Sequence, residues 1–200
     1  MRRALISAAA LLLVVTGPAA SAWAADGDAS APGGNAAASQ AVADEAARIV
    51  RETDLAMGHP DSKDRRGYEL SLYQGKWYMP AREDVRKCIM DRESNFNYWA
   101  DGGRWKGAYQ MSRSLGRGAL WMMKPEVKAE MGQRGLDKIA ELMNTPINHW
   151  NRYWQDRAFW TIWHKGSGKS HWRGGSVKCF GKNSVTSQPS ETPKPAEPAA

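Results

Sequence analysis

Between residues 147 and 162 the chain carries Ile147, Trp150, Trp154, Ala158 and Ile162 at three- and four-residue spacing. That spacing lines all five along one face of a helix. Trp160 and Trp163 fall on the same segment, so the helix presents more apolar surface than water tolerates and must be covered by other elements. Thr145-Pro146 predicts its start, with the cap residue directly before a proline, and Gly166 and Gly168 predict its end. The chain has the material for the cover. It holds ten tryptophans and nine methionines in 200 residues and is 42% hydrophobic. That composition belongs to globular chains rather than disordered ones, and the length suits one domain with tails.

The other segments also read as helical. Val42 to Met57 is rich in Ala, Glu and Arg, with Val42, Ala46, Ile49, Val50 and Thr53 on one face, and Gly58-His59-Pro60 stops it. Residues 60–79 are irregular, with Leu70, Leu72, Tyr73, Trp77 and Tyr78 available to cover a core. Pro80 opens a helix at a first-turn position, Glu83 and Asp84 follow where the helix dipole favours acids, and Val85, Cys88, Ile89 and Arg92 form its inner face. Trp99 to Lys106 contains Gly102 and Gly103 and predicts a short hairpin or extended loop. Ser112 or Ser114 caps a short helix through Trp121, and Pro125 starts another through Met143. No segment reads as a long strand. The expected class is mainly α, with five or six helices.

The ends read differently. Residues 1–24 resemble a secretory leader: Arg2 and Arg3, an apolar run from Ala4 to Val15, and Ala22-Trp23-Ala24 as a small-x-small cleavage site. The run is too short for a typical membrane span, and Gly17 and Pro18 break it. Residues 25–41, Ala, Gly, Ser and Asp, read as a flexible spacer, and the Pro-rich residues 181–200 as a disordered tail. The folded part is 42–180, from a secreted protein that is extracellular or wall-associated, without a membrane span and monomeric. There Cys88 and Cys179 meet oxidising conditions and pair. Closing so long a loop stabilises the fold by roughly 4–5 kcal/mol in the chain-entropy view.

Within residues 46–180 there are 24 basic and 15 acidic side chains, a net charge of +9. A basic exported domain suits a polyanionic partner, although charge alone equally serves solubility. Two cysteines and four histidines, without an H-E-x-x-H pattern, give no sign of a metal, nucleotide or other cofactor.

Glu93 is the residue with the clearest chemical reading. It falls beside Cys88 and Ile89 at the edge of the apolar face, and Phe96, Tyr98 and Trp99 follow within two turns. A carboxyl half-buried among aromatics has its charged form disfavoured, which raises its pKa toward the range of a general acid. The plainer alternative is a helix-end glutamate paired with Arg92 or another arginine.

The segment Cys88-Ile-Met-Asp-Arg-Glu93-Ser94-Asn95-Phe96-Asn97-Tyr98 is followed by Gly107-Ala108-Tyr109-Gln110-Met111-Ser112. Together they resemble the lysozyme-like transglycosylase superfamily, the lytic transglycosylases and the secreted resuscitation-promoting-factor domains. There a Glu-Ser pair ends a helix, and a Gly-x-x-Gln-hydrophobic-Ser stretch follows 15 to 20 residues on; here Glu93 and Gln110 lie 17 positions apart. The run from Trp160 to Trp172, closed by Cys179, is similar to the end of the secreted versions, whose last cysteine bonds back to the catalytic helix. The resemblance covers residues 80–180. It departs at Asn95-Phe96-Asn97, where the secreted group usually carries Gly-Gly-Asn.

The resemblance implies a lysozyme-like helical lobe, a small loop or β-hairpin lobe and a glycan-binding groove between them. It implies peptidoglycan glycan strands as substrate, cut at the MurNAc-GlcNAc bond, with Glu93 as general acid and then base and a 1,6-anhydro product. A hydrolase would normally need a second carboxylate, for which Asp101 is the nearest candidate, though a solvated loop acid is its plainer reading. Ser94, Asn97, Trp99, Gly107, Tyr109, Gln110 and Trp172 are the substrate-binding candidates. Trp99, Trp105, Tyr109 and Trp172 offer sugar-stacking faces, and core packing is the alternative for each. Ser94 and Asn97 otherwise cap the helix end, Gly107 permits close approach or a positive φ, and Gln155-Asp156-Arg157 reads as a solvated helix face. Two other functions stand beside cleavage: a non-catalytic wall-binding protein on the same fold, and an exported binder of nucleic acid or anionic lipid. With the wall reading, anionic wall polymers are further partners and nucleic acid is not expected.

Overall fold

A computed structural model describes residues 33–175 and 177–180. The leader, the spacer before residue 33 and the tail 181–200 lie outside the described residues. The chain is mainly helical: α1 is Gly33–Met57, α2 Glu83–Ser94, α3 Arg113–Leu142 and α4 Arg152–Trp163. Short 3-10 turns occupy Pro60–Ser62, Pro80–Arg82, Ile147–His149 and His164–Trp172. Between α2 and α3 lies a small antiparallel sheet in the order β1 (Asp101–Gly102), β2 (Trp105–Lys106), β3 (Met111–Ser112). Its register pairs Asp101 with Lys106 and Trp105 with Ser112.

Helix α4 is the axis of the core, packed by α3, α1 and the His164–Trp172 turn. The expected stripe is inside: Ile147, Trp150, Trp154, Ala158 and Ile162 are all buried. The remaining faces are buried as well. Gln155, Asp156 and Arg157, expected on a solvated face, are each 0% exposed. Burying such groups is tolerable only when they are paired, and they are. Gln155 accepts from the Ala108 amide and donates to the Tyr98 and Trp150 carbonyls. Arg157 donates to Glu130 at 2.8 Å and to the Tyr153 hydroxyl at 2.7 Å.

Several boundaries move for physical reasons. α1 begins at Gly33, inside the stretch read as spacer, because its alanines are strong helix formers. Its inward face is Glu52, Leu55 and Ala56, while Val42 and Val50 are 71% and 70% exposed. Leu70 is likewise exposed, whereas Leu72 and Tyr73 are buried. The break expected between Trp121 and Pro125 is absent. Pro125 sits on an exposed position within α3, and the chain departs from helical geometry at Gly132, with φ 60° and ψ −145°. Asn151, not Thr145, caps α4 by accepting from the Trp154 amide. A 3-10 turn takes up the residues between. Pro80 opens its helix as expected, through one 3-10 turn into α2, and Ser112 caps α3.

Cys88 and Cys179 form a disulfide with Cα atoms 5.5 Å apart. Among the described residues no helix is long and apolar enough to cross a membrane.

Candidate functional site

Helix α2 ends abruptly. Asn95 and Phe96 both take left-handed backbone, with φ 51° and 59°. The Asn95 amide donates to the Asp91 carbonyl and the Phe96 amide to that of Met90, six positions back, so two left-handed residues close the helix. A bulky side chain in this region is costly, of order 1–3 kcal/mol. The reversal carries the chain from Glu93 into the three-stranded sheet.

Glu93 stands in the last turn of α2 with its side chain 26% exposed. Its Oε1 accepts from Arg92 Nη2 at 2.6 Å and Nε at 3.1 Å. Its Oε2 takes no hydrogen bond among the described residues. The aromatic surround expected for it is not formed by the residues that follow. Phe96 packs on Tyr68 with ring centres 4.7 Å apart, and Tyr98 points to Asp156. Trp99 is 55% exposed and carries the Arg65 guanidinium over its ring at 5.8 Å.

Ser94 joins the two halves of the motif. Its Oγ lies 2.8 Å from the Ala108 carbonyl and 3.1 Å from that of Met90, and it accepts from the Asn97 amide. The end of α2 and the Gly107–Gln110 turn are therefore one hydrogen-bonded unit. Gly107 has φ 79°, and a Cβ there would strike the Gln155 side chain, so both reasons for glycine apply. Gln110 is half-buried with φ 44°, and its Nε2 donates to the Gly107 carbonyl at 2.9 Å. Gly102 leaves the space its Oε1 occupies. Asn97 accepts through Oδ1 from the Trp99 amide and from Arg65, and bridges to Arg66.

Two of the stacking candidates are not open faces. Tyr109 is 0% exposed; its hydroxyl donates to Asp156 at 2.6 Å and its ring stacks on Phe159 at 4.5 Å. Burial and the Asp156 carboxylate hold its phenol far above the usual range. Trp172 is 3% exposed and donates through Nε1 to the Tyr109 carbonyl at 3.0 Å. Trp99 and Trp105 do offer exposed faces, and so does Trp121, which sequence patterning did not single out.

Asp101 sits in the hairpin with its carboxylate on Lys106 Nζ at 2.6 Å and on the Gly103 amide. The Lys106 ammonium holds its carboxyl below the ordinary range, which suits a solvated ion pair. The role of Arg92 extends beyond Glu93. It also donates to the carbonyls of Trp172 and Val177, at 2.9 and 2.8 Å, clamping the C-terminal segment to α2 beside the disulfide. No sequence pattern marks an arginine for such a double task. Among the described residues no group of His, Cys, Asp and Glu is arranged to hold a metal ion.

Comparison with known proteins finds no match: no family model, no curated protein and no solved structure aligns with the chain.

Proposed function

We propose that this chain is a secreted enzyme that cleaves peptidoglycan glycan strands as a lytic transglycosylase, with Glu93 as general acid and base on a lysozyme-like fold. The observation that carries the reading is the Ser94–Ala108 hydrogen bond. It makes the Glu93-Ser94 helix end and the Gly107–Gln110 turn a single unit, and these are the two motifs of the resembled superfamily. A second observation supports it. The positions where the secreted group usually has two glycines are Asn95 and Phe96, and both carry positive φ. Positive φ is the backbone that glycine adopts freely, so the positions suit the two glycines of the secreted group.

In this mechanism Arg92 fixes Oε1, and Oε2 is the oxygen left to carry the proton. Glu93 gives that proton to the glycosidic oxygen as the bond from it to the muramyl C1 breaks, the usual role of an acid in glycoside cleavage. The carboxylate then takes the proton of the muramyl 6-hydroxyl, whose oxygen bonds to C1 and closes the 1,6-anhydro ring. Every proton lost is regained, no water enters, and no second carboxylate is used. Asp101, occupied by Lys106, is not asked to act. The exposed Trp99 is the sugar-stacking candidate.

The second reading, wall binding without turnover, draws on the Arg92–Glu93 pair, which can be structural alone. Glu93→Gln separates the two. Loss of glycan cleavage by at least about a hundredfold with sedimentation on insoluble peptidoglycan retained supports catalysis, since general acid–base roles are worth about 10²–10⁴. A variant that cleaves as the wild type does overturns the role of Glu93, and a wild type that binds and never cleaves gives the second reading.

A further inference from the structure

One side of α2, the turn Pro80–Arg82, the His164–Trp172 turn, Arg173 and residues 178–180 together line a concavity of about 720 Å³. Its lining holds six cationic side chains, Arg82, Arg92, Lys165, Lys169, Arg173 and Lys178, and no carboxylate. Arg92 is committed to Glu93 and to two carbonyls. The other five make no side-chain hydrogen bond or ion pair among the described residues. Elsewhere the arginines that are buried or half-buried are answered by carboxylates: Arg48 by Glu52, Arg86 by Glu83, Arg152 by Glu69 and Arg157 by Glu130. Gathering five like charges around one hollow opposes folding. The fold holds them there with the disulfide beneath Lys178 and the Arg92 clamp on the Trp172 and Val177 carbonyls.

Such a site has one evident use, an anion. Its free cations, three lysine point charges and two arginine forks, are spread around the hollow, which suits a flexible chain bearing one charge per repeat better than one compact polyanion. Nucleic-acid sites on single strands add aromatic faces on which bases stack. Here Trp163 and Trp172 are buried to 4% and 3% exposure, and Phe180 meets Trp163 edge-on at 5.7 Å. The exposed tryptophans, Trp99, Trp105 and Trp121, do not line this cavity.

We propose that this cavity binds a phosphodiester polymer on a polyol backbone, the chemistry of an anionic wall polymer. Arg92 lies between this cavity and Glu93, but the proposal rests on the other five cations and not on Glu93 chemistry.

The probe is fluorescently labelled poly(glycerol phosphate), titrated against residues 25–200 at several salt concentrations. The cavity variant combines Lys165→Gln, Lys169→Gln and Lys178→Gln, all exposed positions. The control removes the same charge elsewhere through Arg51→Gln, Lys128→Gln and Arg134→Gln, also exposed. The cavity variant should bind about tenfold or more weakly, and its slope of log affinity against log salt should shrink by roughly two units, as expected when three phosphate contacts are lost. The control should stay within about threefold, because charges beyond a Debye length are largely screened. Equal weakening of both variants would overturn the proposal in favour of net charge alone. So would a single-stranded oligonucleotide of equal phosphate number that binds as tightly as the polyol polymer. The cavity variant should release muropeptides from polymer-free peptidoglycan at the wild-type rate, and Glu93→Gln should bind the polymer normally, so either proposal can fail without the other.

Discussion

Asp156 shows how much of this molecule turns on single buried groups. Its carboxylate accepts from the hydroxyls of Tyr98 and Tyr109 at 2.6 Å each and from the Leu72 amide at 2.9 Å. The buried Arg86 lies 3.6 Å away. It therefore ties the segment after α2, the turn before β3 and the irregular 60–79 stretch to α4. Asp156→Ala would leave Arg86 with Glu83 as its remaining carboxylate and remove the acceptor of two phenols, a loss of about 3–5 kcal/mol by analogy with broken buried pairs. For a domain of this size that lowers the melting temperature by roughly 10 °C. Thermal unfolding checks it; a shift below a few degrees would mean that Glu83 suffices. The sequence put Asp156 on a solvated face. Helical periodicity reads polar residues as outward, and it has no way to register that two tyrosines and an amide arrive from segments 47 to 84 positions away. The Arg92–Glu93 pair was legible for the opposite reason, because the two are immediate neighbours that the sequence displays directly.

At the scale of elements, α1 joins the body through Glu52, which accepts from the Gln74 amide and the Tyr153 hydroxyl and pairs with Arg48. Burial outweighs these partners and raises its carboxyl above the ordinary 4.5. A carboxyl with a raised folded pKa binds its proton more readily in the folded state. Its stabilising contribution is thus complete below the unfolded pKa and is lost as pH rises through the folded one. The stability of wild type relative to Glu52→Gln should accordingly fall as pH rises above the ordinary carboxyl range in urea titrations. A difference that grows with pH would mean that Arg48 dominates. The C-terminal segment depends on a different tie. Cys88–Cys179 closes a loop of 91 residues, so replacing both with serine should cost about 4–5 kcal/mol on the chain-entropy account. Hydrogen exchange should localise the loosening to residues 164–180. An unchanged denaturation midpoint would show that Arg92 and the core hold the segment unaided. Most helix identities were legible from spacing and prolines. The ends were less so: α3 runs through Pro125 because that proline lies on an exposed face, and it breaks at Gly132, where no stronger signal stood.

For the whole molecule, the mainly helical class and the hairpin were readable from periodicity and glycines. The cavity of unpaired cations was readable only as net charge. Lys165, Lys169, Arg173 and Lys178 are close in sequence, but Arg82 comes from the start of α2, and their convergence is a matter of tertiary structure. The same holds for Tyr109 and Trp172, whose aromatic character suits either a groove or a core; packing against Phe159 put both inside. The Ser94 hydroxyl joins the Glu93–Ser94 helix end to the Gly107–Gln110 turn, segments whose spacing is set by a short sheet that bends back on the helix end. The central claim is that this unit cuts glycan strands without water. Mass spectrometry of peptidoglycan digested by residues 25–200, beside Glu93→Gln, tests it most directly. The account predicts muropeptides one water lighter than their hydrolysed counterparts, released by the wild type and absent from the variant. Hydrated products would contradict the transglycosylase mechanism and turn attention to Asp101, and no products from a folded, disulfide-bonded wild type would contradict the enzyme reading itself.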